Sequence, residues 1–440
     1  MSRRSPKPPT LDSETPKVSN LIRRIAAEQA RPGPVTYQDL GMLFSRQDLG
    51  GLMLFGDTSD SFRRTLDGLY RAVRDQYPVS KQRVEHELQT AILVTLDLAK
   101  KSSETFDARL DATLHQLVEN LTRVPQQWDV DLEIGGIESP IKTEISIGNV
   151  YFYSISESSV PTYIAELWKR EPRKPELLLN KGALIGRTYG RITVDAVDKD
   201  FAILAAREKL SVVLGAINFF VNILFPQDSG AYLIGEDVSQ RTATFYGLAG
   251  QEAQKAVQHS WKGRLVPLQL SLFDVSKPSV RLVSDLLNAS HRNEIQARVL
   301  RAIQWCGHAS VARKREEALL FSMIGLESLL ERESRGLASR SLALKVAHLL
   351  GTSPKEAEQI YKDVIDLYAL RSTVVHQGSR DIAETDVDRA RRYAKSCAMA
   401  FLLRPGLSQL REGHEFEAWF VKRILNVQRE QTTLPQGSSP

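Results

Sequence analysis

A short run near the C-terminus carries residue types that could do chemistry: Arg371-Ser372-Thr373-Val374-Val375-His376. It places a guanidinium that stays protonated five residues before an imidazole that titrates near neutral pH. Such a pair suits cleavage of a phosphodiester, because arginine can hold the phosphate and stabilise charge in the transition state while histidine moves protons. The 2′-hydroxyl of RNA would supply the nucleophile, so this chemistry demands no metal.

The spacing of the two residues has more than one interpretation. On a straight α-helix, five residues correspond to about 140° of rotation, so Arg371 and His376 would not share a face. They would converge if His376 lies in a fraying last turn, which Gly378 favours, or if two copies of the chain meet. The alternative is that both side chains only stabilise the last carbonyl groups of a helix.

Other catalytic signatures are absent from the sequence. It contains no phosphate-binding Gly-x4-Gly-Lys-Ser/Thr loop, no zinc-protease His-Glu-x-x-His, no Cys-x-x-Cys and no Gly-x-Ser-x-Gly elbow. The eight histidines are dispersed, without the close spacing of metal ligands. We therefore expect neither a metal nor a cofactor, and ATP-driven, zinc-hydrolase and acyl-hydrolase activities are disfavoured.

The composition is that of a globular protein. The chain has 440 residues, of which 42% are hydrophobic and 25% charged, and this combination excludes disorder throughout. Its two cysteines, Cys306 and Cys397, exclude a disulfide scaffold and fit a reducing cytoplasm. The longest apolar run, around 210–225, falls short of the roughly 20 residues that a bilayer requires, and the first residues lack the apolar stretch of a secretory signal. We expect a cytoplasmic protein without membrane contact.

The net charge of +5 is unevenly distributed along the chain. Residues 1–35 carry a net charge of +4, residues 36–297 carry −4, and residues 298–404 carry +5. The basic excess of the folded part therefore coincides with the segment that holds Arg371 and His376. The acidic balance of the middle of the chain suggests the hypothesis that it shields a basic cleft in a resting state.

Hydrophobic periodicity divides the chain into five segments of an α+β multidomain protein. Residues 1–17 have the composition of a disordered basic tail. Apolar spacing of three and four predicts a helical region over 18–125, whereas a period of two around one long helix predicts a mixed α/β domain over 126–297. Helical spacing returns over 298–404 and predicts an all-α bundle of four or five helices. A terminal helix and a second disordered tail follow over 405–440.

Four stretches of this bundle carry a family resemblance. They are AIQW at 302–305, EALLFSMIGLESLL at 317–330, AHLLG at 347–351 and YKDVIDLYALRSTVVHQG at 361–378. Together with the order and spacing of the helices, they make residues 298–404 similar to a HEPN domain of the Apea-like type.

The resemblance implies a metal-independent endoribonuclease that acts as a prokaryotic antiviral-defence, toxin or abortive-infection effector. Domains of this type commonly form homodimers through the bundle, so that two Arg-x4-His motifs meet in one cleft. By position, Arg371 and His376 would be the catalytic pair. Ser372 would occupy a polar position where the family often has asparagine, and Glu327 would orient Arg371. A half-exposed helical glutamate without that role is the alternative for Glu327.

The functions of the remaining candidates stay open in the sequence. Arg313, Lys314 and Arg315 either contact an RNA backbone or form a solvated helix end. Trp305 could stack on a base, although a tryptophan of the core is the favoured interpretation. Residues 18–297 would bind a phage or cellular trigger, or restrain the nuclease. The alternative function is a catalytically silent module for dimerisation or RNA binding, and a nucleotide-binding regulator is a third.

Overall fold

The structure is a computed structural model, and helices make up most of the part of the chain that it describes. Its strands form a small, mainly antiparallel sheet and short two-stranded ribbons, so the fold class is α+β, as predicted. The described residues are 10–29, 42–46, 50–54, 56–96, 105–138, 145–154, 187–224, 230–233, 241–246, 254–259, 268–269, 273, 276–330, 338–377 and 381–432.

The chain divides into two compact units. One comprises Met1–Val130 with Thr193–Arg207, and the other comprises Asp131–Ile192 with Glu208–Pro440. The second unit contains sheet residues as well as the C-terminal helices, so this division does not isolate residues 298–404. The segment borders that periodicity indicates therefore stay predictions.

The first unit is built mainly from amphipathic helices, as predicted for this part of the chain. Between its first two helices, β1 (Met42–Arg46) and β2 (Gly50–Leu54) pair antiparallel, which periodicity did not predict. The helices bury one shared apolar core that includes Ile22, Phe62, Leu88 and Leu110. They are α1 (Leu11–Gln29), α2 (Gly56–Arg74), α3 (Lys81–Leu96) and α4 (Phe106–Leu121).

Helix α1 begins earlier than the sequence predicts. Residues 11–17 are helical, so the disordered tail expected over 1–17 is wrong for them, and residues 1–9 lie outside the described chain. The Thr10 N–H donates to Ser13 Oγ over 3.0 Å and so caps the first turn. Glu14, rather than an apolar residue, fills the buried position of that turn. Apolar periodicity cannot detect such a start.

The strands of the sheet lie in the order β5-β6-β7-β3-β8. The strands that the period of two predicts for this part of the chain include Trp128–Ile134, Val150–Tyr153 and Ile192, and Gly148 supplies the positive φ of +58° in the turn between β5 and β6. The strands are β3 (Gln126–Gly135), β4 (Ile137–Glu138), β5 (Ile145–Ile147), β6 (Val150–Ser154), β7 (Thr188–Ala196), β8 (Tyr232–Leu233), β9 (Arg241–Tyr246), β10 (Gln254–His259) and β11 (Leu268–Gln269).

A long helix, α5 (Lys199–Phe219), follows β7, as expected for this part of the chain. The Phe201 N–H donates to the Asp198 carboxylate over 2.9 Å, which caps its N-terminus. Further along, a Cβ on Gly307 would lie 2.0 Å from the Gly215 carbonyl oxygen. The C-terminal half of α5 therefore meets the helix that carries Gly307 backbone to backbone, which only glycine permits.

The rest of the second unit is helical, as predicted. Its core includes buried apolar side chains such as Leu319, Leu326, Val364 and Leu367. The helices are α6 (Pro278–Asn288), α7 (Glu294–Val311), α8 (Arg315–Leu330), α9 (Ala338–Leu350), α10 (Pro354–Gln377), α11 (Glu384–Leu403), α12 (Pro405–Ser408) and α13 (Gly413–Thr432).

Candidate functional site

Helix α10 carries the Arg371–His376 motif, and side-chain hydrogen bonds cap its start. The Glu356 N–H donates to Ser353 Oγ over 3.2 Å, and the Glu356 carboxylate accepts the Thr352 N–H over 2.8 Å. Pro354 occupies the first helical position, where it needs no amide donor. The helix then continues without interruption for 24 residues through the whole motif.

Arg371 and Glu327 meet between α10 and α8. The Arg371 Nη2 lies 3.5 Å from Glu327 Oε2, and the two side chains are 26% and 25% exposed. The guanidinium also lies 5.7 Å from the centre of the Tyr368 ring. Within the described chain, Arg371 Nε is buried without a hydrogen-bond partner. The arginine is thus held in place by a carboxylate and a ring, and part of its hydrogen-bonding capacity is unused.

Glu327 sits in an environment that opposes its ionisation. Burial raises the pKa of its carboxyl above the ordinary value of 4.5, and the neighbouring Arg371 cation only partly offsets this. The sequence singled out Glu327 as the polar exception on an apolar helix, and the structure places it beside Arg371. Its suggested role in orienting that arginine stays a prediction.

His376 lies exposed in the last turn of α10, next to Val375, which is 52% exposed. The helix continues to Gln377, while Gly378 falls outside the described residues. No hydrogen bond or ring contact in the described chain joins His376 to Arg371, because about 140° of helix rotation separates them. The structure therefore does not bring the pair together within one chain. Ser372, half-buried, lies between them.

The three basic residues at 313–315 are exposed in the turn between α7 and α8. Arg315 is partly engaged, because it lies 2.9 Å from the Glu384 carboxylate and so ties the start of α8 to the start of α11. Lys314 lies 4.0 Å from Glu317 in the first turn of α8. Contact between this turn and RNA stays a prediction.

Two features of the bundle were missed by sequence reasoning. Trp305 is not a core residue: it is half-buried and lies 5.5 Å from Phe321, ring centre to ring centre. Asp363 on α10 is buried and accepts hydrogen bonds from Tyr393, from Gln359 over 2.9 Å and from Arg389 over 2.9 Å. No signal in the sequence pointed to this cluster, since its members are far apart along the chain.

The Asp363 cluster is electrostatically satisfied. Burial alone would raise the pKa of Asp363, but the hydrogen bonds from Tyr393 and Gln359, with the Arg389 cation, outweigh burial and lower it. Burial and the hydrogen bond to Asp363 raise the pKa of Tyr393 to about 12. The cluster therefore joins α10 to α11 and leaves no acceptor of Asp363 idle for chemistry.

Among the described residues, no group of three or more His, Cys, Asp or Glu side chains could hold a metal ion. In the same part of the chain, none of the helices has the length and apolar character needed to cross a bilayer. Comparisons of the chain with protein-family models, with curated proteins and with solved structures find no match.

Proposed function

We propose that the chain is a metal-independent endoribonuclease of the HEPN type, with Arg371 and His376 as its catalytic residues. One observation carries the proposal: an arginine braced by Glu327, with an unpartnered Nε in the described chain, precedes an exposed histidine at the end of the same helix. A partly desolvated guanidinium with unused donors is suited to hold a phosphate. An exposed imidazole is suited to exchange protons.

The proposed reaction needs only the RNA and these two side chains. The imidazole of His376 removes the proton from a 2′-hydroxyl, whose oxygen attacks the adjacent phosphorus. The bond from phosphorus to the 5′-oxygen breaks, that oxygen takes up the proton that the imidazole of His376 now carries, and a 2′,3′-cyclic phosphate remains. Arg371 stabilises the negative charge that builds up on the phosphoryl oxygens.

A homodimer is part of the proposal. Because the two side chains point about 140° apart on one helix, a cleft that uses both is built most simply from two copies of α10. Exposed Val375, beside His376, provides apolar surface for such a contact. Each cleft would then combine residues of both subunits.

The remaining parts of the proposal concern the biological setting. Residues 298–404 would form the HEPN bundle, acting in the cytoplasm as a defence, toxin or abortive-infection effector. Residues 18–297 would sense a trigger or restrain the bundle, in line with net charges of −4 over 36–297 and +5 over 298–404.

The second candidate function is a catalytically silent module that dimerises or binds RNA. The separation of about 140° between Arg371 and His376 favours this second function, because a single chain does not bring the two side chains together. Ser372, in place of the asparagine frequent in the family, favours it as well, since a hydroxyl makes fewer hydrogen bonds than an amide.

Incubation of the purified full-length protein with total RNA in EDTA distinguishes the two functions. Cleavage that leaves 2′,3′-cyclic phosphate ends, and that is abolished by Arg371→Ala and by His376→Ala, supports the nuclease. Matched controls are Arg64→Ala and His414→Ala, which remove an exposed arginine and an exposed histidine elsewhere. Binding without cleavage supports the silent module, and unchanged cleavage by either site variant overturns the catalytic assignment.

A further inference from the structure

Three aromatic rings cluster on the surface of the helical pair α7–α8. The ring centres of Trp305 and His308 lie 5.8 Å apart, those of Trp305 and Phe321 5.5 Å, and those of His308 and Phe321 6.0 Å. Each ring thus contacts the other two. Trp305 and Phe321 are half-buried and His308 is exposed, so the cluster belongs to the surface rather than to the core.

The neighbours of these rings along the helices confirm this orientation. Ile303 and Cys306 on α7, and Leu319 and Met323 on α8, are buried. The ring-bearing residues therefore lie on the outer sides of both helices. There they leave apolar surface in contact with water, which burial in the core would have removed. Within the described chain, the indole N–H of Trp305 has no hydrogen-bond partner. The rings are tilted by 32° to 59° relative to one another, so an incoming base can stack on the face of one ring while the others border it.

Positive charge borders this surface on two sides. On α7, Arg301 is exposed and lies four residues before Trp305, on the same face of the helix. The exposed turn 313–315 contributes three consecutive cations. Trp305 and Phe321 each lie six residues from the ends of their helices at this turn, which is about 9 Å along the axis. A short single strand can reach from the rings to the turn.

We propose that Trp305, His308 and Phe321, together called the Trp305 platform, bind an unpaired base of single-stranded RNA by stacking. This inference rests on the proposed function and specifies its substrate class. Aromatic rings beside cations are the arrangement with which proteins hold single strands, because rings stack on bases while cations follow the phosphates. The exposed cations on two sides of the cluster, Arg301 and the turn 313–315, favour a polyanionic strand over an apolar peptide.

The test compares two oligonucleotides of equal length and charge, a fluorescently labelled oligouridine and its abasic counterpart. Both are titrated into full-length protein that carries His376→Ala, so that no substrate is consumed. Stacking of one base should make the oligouridine bind roughly 5- to 150-fold more tightly than the abasic strand. Trp305→Leu and Phe321→Leu, which keep apolar volume but remove a ring, should each bring this ratio close to one. Binding of the abasic strand should stay within about twofold.

Trp419→Leu is the matched control. Trp419 is also half-buried, faces another ring, that of Phe416, at 6.1 Å and lies 5.8 Å from the Arg423 guanidinium, but it is on α13. This variant should keep the full preference for the base-containing strand. Thermal unfolding of every variant shows whether the fold is retained, and Phe321→Leu provides an independent test if Trp305→Leu unfolds.

The outcomes separate the platform from the nuclease. If folded Trp305→Leu and Phe321→Leu still bind the oligouridine more tightly than the abasic strand, the platform is overturned, even where cleavage still requires His376. The same result, together with a loss of self-association in sedimentation, would assign the rings to a contact between copies. Conversely, a ring-dependent preference supports the platform even if Arg371→Ala cuts RNA as well as wild type, which overturns only the catalytic assignment. Failure to bind either strand overturns the platform.

Discussion

Arg371 Nη2 lies 3.5 Å from Glu327 Oε2, with both side chains about three-quarters buried. The pair joins α8 to α10 just before the exposed end that carries His376. The distance between Nη2 and Oε2 is longer than that of a direct charged hydrogen bond, which commonly measures about 2.8 Å. Glu327 therefore faces the guanidinium without taking up its donors in a short hydrogen bond, and the consequences can be measured.

Glu327→Gln should lower RNA cleavage by roughly 5- to 50-fold, because the amide keeps the shape of the side chain but loses the charge that orients Arg371. In an Arg371→Ala background the same change should have no further effect, since the two residues act together. Glu316→Gln, on the same helix, is the control. An equal loss for Glu316→Gln would show that charge on α8, rather than contact with Arg371, matters.

The stability of the protein should depend on pH through Glu327. Its pKa in the folded state lies above the ordinary 4.5, so the folded protein holds this proton more tightly than the unfolded chain. The contribution of Glu327 to stability therefore falls as pH rises from about 4.5 through the raised pKa. Urea unfolding across this range should show Glu327→Gln gaining stability relative to wild type, and parallel curves would contradict the shift.

Ser372→Asn should raise cleavage about 2- to 10-fold, because an amide at this position makes one or two hydrogen bonds that a hydroxyl does not. Thr373→Asn is the control, since the Thr373 hydroxyl donates to the Ala369 carbonyl of its own helix, over 3.0 Å. Initial cleavage rates of both variants decide the question. A lower rate for Ser372→Asn would show that this position requires a small side chain.

Lys395 predicts a second pH effect at the alkaline end. Burial lowers its pKa from 10.5 to about 8, with Arg391 acting in the same direction and Cys306 opposing it. Between about pH 8 and 10.5 the unfolded chain holds a proton that the folded protein lacks, so this residue makes stability increase with pH. Lys395→Met should remove this increase in the free energy of unfolding, which is on the order of 3 kcal/mol. Identical pH profiles for variant and wild type would rule this out.

Asp363→Asn should destabilise the protein by on the order of 3 kcal/mol, since it leaves Arg389 and Tyr393 facing a neutral amide inside the protein. Glu358→Gln removes an exposed carboxylate paired with Lys362 on the same helix, and its effect should be much smaller because water screens an exposed ion pair. Denaturant unfolding compares them. Equal effects would mean that the Asp363 cluster adds no more than a surface ion pair.

Local signals in the sequence predicted the bundle helices well. The cap at Ser353 and the apolar stripe of α10 depend on residues three or four positions apart, and periodicity detects such spacing. The expectation that Glu327 lies near Arg371 came from the resemblance to a HEPN domain, because the two residues are on different helices and far apart along the chain. The separation of about 140° between Arg371 and His376 is likewise a local property, since it follows from the rotation per residue of any α-helix.

Relationships between distant parts of the chain could not be predicted in this way. Asp363 meets Arg389 and Tyr393 only because α10 and α11 pack antiparallel, and no local pattern encodes that pairing. The exposure of Trp305 depends likewise on which neighbours cover it, so composition alone favoured the core. The β1–β2 hairpin and the helical start at Leu11 were missed for want of a clear apolar period.

The hydrogen bond from Lys395 to the Val221 carbonyl has a consequence for the order in which the protein is made. The two residues are 174 positions apart. At a synthesis rate of about 5–20 residues per second, Lys395 is added roughly 9–35 s after Val221, so the hydrogen bond cannot form before then. The basic bundle that would bear the nuclease follows the acidic middle of the chain, which is therefore already present when the bundle emerges. In the proposed function, the segment that restrains the nuclease is thus synthesised before the nuclease itself.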